Sequence, residues 1–220
     1  MNKFALAVFC AGLLAAPALA DDWLPPPWRN EVSTTLQWWH FGDSRQLDIP
    51  PDEPGPLDEG PPYVTGYLPS TKIIEIFPDP THPEWFETDP LGSARQGIWA
   101  LSGWIDVIVD NHNHPNDEKW IWVQVTWAKI DPAGTAQPAF VNISPSPSEG
   151  PTFVDEYVWC ANWQTTVYEW KLDWNPPDEL FRLQGDIFVD QLVVDTWCLP
   201  EPATLSLLAL GAMALIRRRK

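Results

Sequence analysis

Basic side chains are what this chain has least of for its size. Its 220 residues carry 13 Lys and Arg against 30 Asp and Glu, a net charge of -17 with a pI near 4.3. Such a balance excludes an electrostatic grip on nucleic acid or on an anionic membrane surface. Catalytic signatures are missing too: there is no Gly-x-Ser-x-Gly, no His-Glu-x-x-His, no phosphate loop and no dinucleotide fingerprint. The expectation is a protein that is not an enzyme. No segment between Asp21 and Leu199 keeps a helical period over three turns, no internal repeat is visible, and cysteine is down to 3 residues. What the chain has instead is 25 Pro and 15 Trp, with 45% apolar residues. That composition excludes wholesale disorder and suits one domain with a real core.

The two ends read as addresses. Lys3 gives a positive start, Phe4 to Leu14 a short apolar stretch, and Ala18-Leu19-Ala20 a small-residue cleavage site, so residues 1–20 read as a secretory signal peptide cut before Asp21. Its partner is the general secretion machinery. Cys10 follows Ala7-Val8-Phe9, which is not the small-residue setting of a lipid-modified cysteine. At the other end Pro200-Glu201-Pro202 precedes 14 apolar or small residues, Ala203 to Ile216, and then Arg217-Arg218-Arg219-Lys220. That run is short for a spanning helix, which wants about 20 residues. The basic cluster would stay cytoplasmic, leaving the body outside.

Tripeptide, apolar helix and basic stop, in that order, resemble the PEP-CTERM sorting signal of bacterial exosortase substrates, found in species that export polysaccharide. The resemblance covers residues 199–220. It implies transient anchoring in the inner membrane by the hydrophobic helix and recognition by an exosortase-type membrane enzyme. Delivery to the cell surface or extracellular matrix would come next. Very different passengers carry this tail, so it implies nothing about the chemistry of the body.

Residues 21–198 form the exported body. From Asp21 to Leu199 there are 29 acidic and 8 basic side chains, a net charge of -21, and all 15 Trp. Runs rich in Val, Ile, Thr, Trp and Tyr recur between Pro, Gly, Asn and Asp, which predicts an all-β fold. The expected strands are 32–41, 63–67, 72–77, 97–110, 119–130, 153–160, 163–174, 179–183 and 186–197, arranged as a two-sheet antiparallel β-sandwich, jelly-roll-like. Pro-rich acidic loops are expected at 48–62 and 78–90. Alternation in 119–130 sets Ile121, Val123, Val125 and Trp127 on one face and Trp120, Trp122, Gln124 and Thr126 on the other. The last strand is apolar on both faces around Asp190. In this it is similar to the final strand of jelly-roll carbohydrate-binding modules, over about a dozen residues.

Three constellations carry candidate chemistry. Trp120 and Trp122, two apart on one strand face with Gln124 beside them, have the spacing of a sugar-binding platform, unless another layer covers them. Asp106, Asp110, Asn111, Asn113, Asp117 and Glu118 gather hard oxygen ligands around one hairpin loop and are the candidate calcium site, though the spacing fits no EF-hand. His112 and His114 in the same loop read as turn residues, so no transition-metal site is expected. Cys160 and Cys198, an even pair in an oxidising compartment, are expected to form a disulfide. Closing that loop of about 39 residues would contribute roughly 4 kcal/mol. Two functions are compatible with these features: a non-catalytic structural protein of the surface or matrix, or a carbohydrate-binding module that grips extracellular polysaccharide through exposed Trp.

Overall fold

A computed structural model describes residues 23–29, 31, 34–41, 44, 46–49, 72–77, 85–110, 118–145, 150–160 and 162–199. The expected signal peptide, the sorting tail and the expected strand at 63–67 lie outside the described residues, and both expected terminal helices lie outside with them. Ten strands are present among the described residues: β1 (Thr34–Trp39), β2 (Leu47–Ile49), β3 (Lys72–Phe77), β4 (Trp85–Thr88), β5 (Gln96–Asp110), β6 (Glu118–Lys129), β7 (Ala139–Ser144), β8 (Thr152–Val158), β9 (Trp163–Leu172) and β10 (Asp178–Leu199). Every pairing is antiparallel. The all-β expectation holds.

The expected pair of separate sheets is corrected. All ten strands belong to one hydrogen-bonded sheet whose main path runs β2-β3-β5-β10-β6-β9-β8. The reason is β10. Its 22 residues were expected as two strands interrupted at Gln184-Gly185, yet the ladder to β5 runs through Gly185, which pairs with Gly103. The first part of β10 lies between β5 and β7, and the later part between β1 and β6.

The sheet nevertheless encloses one core, because β10 doubles back. Trp170 pairs with Ile121 and Ile121 with Thr196, which stands 15 residues from Phe181 along β10. A straight strand would separate Thr196 from Phe181 by about 50 Å. The Trp170 and Phe181 rings instead meet edge-on with centroids 5.5 Å apart. Two halves of one sheet therefore face each other: β2, β3, β4, β5, β7 and early β10 against β1, late β10, β6, β9 and β8. Ile73, Ile105, Val107, Phe181 and Leu183 of the first half share a core with Ile121, Val123, Val125 and Leu192 of the second.

Bending is concentrated where the register slips. A bulge between Val189 and Gln191 leaves Asp190 as the extra residue, and bulges bend and twist the strand that carries them. The buried Asp190 carboxylate pairs with Arg95, whose guanidinium also lies 5.2 Å from the Trp163 ring centre and 6.0 Å from that of Trp159. Asp190 thus serves the bend. Gly97 is needed nearby: its φ is +75°, and a Cβ there would collide with the backbone oxygen of Phe41.

Two further expectations are corrected. Part of the loop at 78–90 is strand β4, with Trp85 opposite Trp99 on β5. Cys160 and Cys198 form no disulfide; Cys160 is exposed and Cys198 buried. Cys198 pairs with Lys119 at the start of β6, whereas Trp163, three residues past Cys160, pairs with Ala128 near the end of β6. Nine residues of strand, about 30 Å, separate those positions, and a disulfide needs Cα atoms within about 7 Å. Cys198 instead donates its thiol proton to Asn175 Oδ1 at 3.4 Å.

Candidate functional site

The two outer faces of the doubled sheet differ, and the contrast locates the candidate site. Over the second half, residues 23–29 lie as a strap. Trp23 stacks on Tyr157 of β8 with centroids 5.1 Å apart, and Trp28 stacks on Trp197 of β10 at 5.6 Å. Trp122 Nε1 donates to Leu24 O at 2.9 Å, while Leu24 N donates to Gln124 Oε1 at 2.9 Å. Arg29 closes the strap with a bidentate pair to Asp195, which is 1% exposed.

The strap covers the face expected as a sugar platform. Trp122 is 6% exposed and Gln124 1%, with the Trp122 indole N–H and the Gln124 amide oxygen both engaged by the strap backbone. Trp120 is half-buried in the same cluster, its indole N–H donated to Glu118 at 2.8 Å. Alternation placed these side chains on the correct face of β6. It could not show that residues 23–29 of the same chain cover that face.

Of the calcium candidates, Asp106 and Glu118 are described, and each already faces a cation. Arg182 donates from Nε and Nη2 to the two Asp106 oxygens at 2.6 and 2.7 Å. Hydrogen bonding to Asp106 in turn pushes the Arg182 guanidinium up from its ordinary value. Glu118 pairs with Lys171 at 2.6 Å. The side chain of Asp110, and Asn111, Asn113 and Asp117 with His112 and His114, lie outside the described residues. Among the described residues no three His, Cys, Asp or Glu gather as a metal site.

The scarce cations serve the fold in this way throughout. Of the 8 Lys and Arg between Asp21 and Leu199, Arg29, Arg95, Lys119, Lys171 and Arg182 are in ion pairs. Three of those pairs engage the buried carboxylates of Asp195, Asp190 and Glu179. Exposed carboxylates such as Asp131, Asp155, Glu156, Asp173, Asp178 and Asp186 face solvent. The surface is more acidic than composition alone requires.

Two other polar groups fasten the halves. Asp89 accepts hydrogen bonds from Leu91 N at 2.8 Å, Ser93 N at 2.8 Å and Trp163 Nε1 at 2.9 Å. Burial pushes its carboxyl up, but the Ser93 side chain and these donors outweigh burial and hold it below its ordinary 3.8. Burial, and then the charge of Glu156, pushes the Tyr168 phenol up, and its hydroxyl donates to Pro138 O at 2.8 Å.

The outer face of the first half has no such roof among the described residues. Cross-strand rungs line up there between β5 and β10: Ser102 with Asp186, Trp104 with Gln184, Asp106 with Arg182. Ser102 Oγ donates to Asp186 Oδ1 at 2.9 Å, and the Arg182 guanidinium lies 4.3 Å from the Trp104 ring centre. Along β7, Val141 and Ile143 are exposed. A groove of about 500 Å³ opens at this crossing, lined by Ser102, Gly103, Gln137, Ala139, Gln184, Gly185 and Asp186. Sequence reading missed it because Gly185 resembled a turn; its one signal was a glycine interrupting each of two apolar runs, at Gly103 and Gly185.

No curated protein and no solved structure matches the chain. Residues 199–220 match the family model of the PEP-CTERM protein-sorting motif, with Leu199 as both the last residue of β10 and the first of the motif. The chain is therefore an exported protein that carries the PEP-CTERM sorting motif at its C-terminal end, the mark of a substrate processed by a membrane-bound exosortase.

Proposed function

We propose that this protein is a non-catalytic structural component of the cell surface or extracellular matrix of a polysaccharide-producing bacterium. The observation that carries the reading is where the sorting motif joins the fold. Leu199 still pairs with Glu118, so the motif continues from β10 without a spacer. The tail is thus fastened to the central strand, which has β5 and then β1 along one side and β7 and then β6 along the other. Tension on the C-terminus would load those ladders in shear instead of peeling an edge strand. Such a junction suits a body held by its tail.

The charge distribution supports the same reading. With three of its eight cations turned to buried carboxylates and two more held in ion pairs, the body presents an acidic coat that favours solubility and discourages self-association. Fractionation of the producing bacterium tests the proposal. The mature chain is expected in the washed surface or matrix fraction, and a chain ending at Leu199 is expected to leave it. Equal recovery of both forms as soluble periplasmic protein would refute the role.

A further inference from the structure

We propose that the groove where β5, β10 and β7 meet is a binding site for a neutral saccharide chain. The inference rests on the exported location and gives the structural reading a partner. It uses a face of the sheet different from the one that carries Trp120 and Trp122.

The lining sets the ligand class. The amides of Gln137 and Gln184 each donate and accept, the Ser102 hydroxyl does both, and the Asp186 carboxylate accepts. All four side chains are exposed. A ligand that matches mixed donors and acceptors at short spacing is rich in hydroxyl groups. No Lys or Arg lines the groove, and Asp186 adds to a body of net charge -21, so an anionic polysaccharide is disfavoured. One carboxylate already bonded to Ser102 is too little for a cation.

The glycines shape the backbone behind the groove. Gly103 and Gly185 pair across the ladder, and side chains there would point to the core side, opposite the Ser102–Asp186 and Trp104–Gln184 rungs. A Cβ at Gly185 would come within 3.2 Å of the Gln137 backbone oxygen, which shows how tightly the loop before β7 sits over β10. The next rung brings Trp104 beside Gln184, but the indole is half-buried with the Arg182 guanidinium 4.3 Å from its ring centre, so the Gln184 amide is the contact that this rung offers. A volume of about 500 Å³ is ample for one or two sugar units of a longer chain lying across the open face.

The full chain, solubilised in a detergent without a sugar headgroup, tests this by affinity electrophoresis through gels containing a mixed-linkage β-glucan, a galactomannan, a xylan or anionic alginate. Retardation by at least one neutral polysaccharide is expected, with no retardation by alginate. Gln137→Ala with Gln184→Ala should weaken that binding at least about tenfold, the loss expected when two hydrogen bonds are removed. Gln164→Ala, in a separate cavity of about 210 Å³ beside Trp127 and Lys129, should leave it unchanged. Both glutamines of the double variant are exposed, so its unfolding midpoint should match the parent. Undiminished binding in the double variant would overturn the groove while leaving polysaccharide association intact. Binding to none of the gels, or to alginate alone, would overturn the saccharide assignment while leaving the tail-anchored structural reading in place.

Discussion

Lys119 and Glu179 meet inside the protein, with Nζ 2.7 Å from each carboxylate oxygen and both side chains fully buried. Lys119 pairs with Cys198 at one end of β10, and Glu179 lies 19 residues away at the other end of that strand. A straight β10 would hold Glu179 and Cys198 about 63 Å apart. The ion pair is therefore a clamp between the two halves of one folded sheet.

Removing one partner tests the clamp. Lys119→Met leaves an uncompensated buried carboxylate and should cost about 3–5 kcal/mol, read as a lower unfolding midpoint by tryptophan fluorescence. Lys119→Met with Glu179→Leu should recover most of that loss, since apolar replacement of a buried pair is near neutral. Additive losses in the double variant would mean that the residues do not face each other.

Thiol chemistry tests the separation of the cysteines. In the mature native protein Cys160 should react with a thiol reagent at once and Cys198 only after unfolding. Non-reducing mass spectrometry should find no Cys160–Cys198 link after export. A native protein with no reactive thiol and a mass 2 Da lower would contradict the register of β6 against its neighbours.

Trp122→Ala should lower stability by about 3 kcal/mol, because it empties the space beneath the strap and removes the donor to Leu24 O. Arg29→Ala should be comparably costly, since it strands the buried Asp195. A Trp122→Ala protein as stable as the parent would show that the strap does not cover this face.

Asp89 contributes in one direction of pH. Its folded carboxyl lies below the unfolded 3.8, so its stabilisation is complete above 3.8 and is lost as pH falls through the folded value. Asp89→Asn should therefore be less stable than the parent at neutral pH, by about 1.5–3 kcal/mol for bonds to a charged acceptor. That gap should close as the pH is lowered past 3.8. A gap independent of pH would point to packing alone.

Local pattern was legible wherever two-residue alternation decides it. Ile121, Val123, Val125 and Trp127 face the core as their spacing predicts, and β3 has the expected bounds. The short strands β2, β4 and β7 were missed, because three to six residues between prolines carry too little periodicity. Long-range facts were not legible: the strap over Trp122, the doubling of β10 and the distance between the thiols all depend on which segments meet. Asp190 and Gly185 looked out of place in apolar strands for a physical reason. One accommodates a bulge, and the other leaves room for the Gln137 backbone oxygen, which a Cβ would meet at 3.2 Å.

Matrix mechanics tests the proposed role most directly. The elastic modulus of surface material would be compared among the parent bacterium, a deletion strain, and deletion strains making either the full chain or a chain ending at Leu199. The account predicts a softer matrix on deletion, restored by the full chain and not by the shortened one. An unchanged modulus on deletion, or full rescue by the shortened chain, would contradict a structural role borne through the tail.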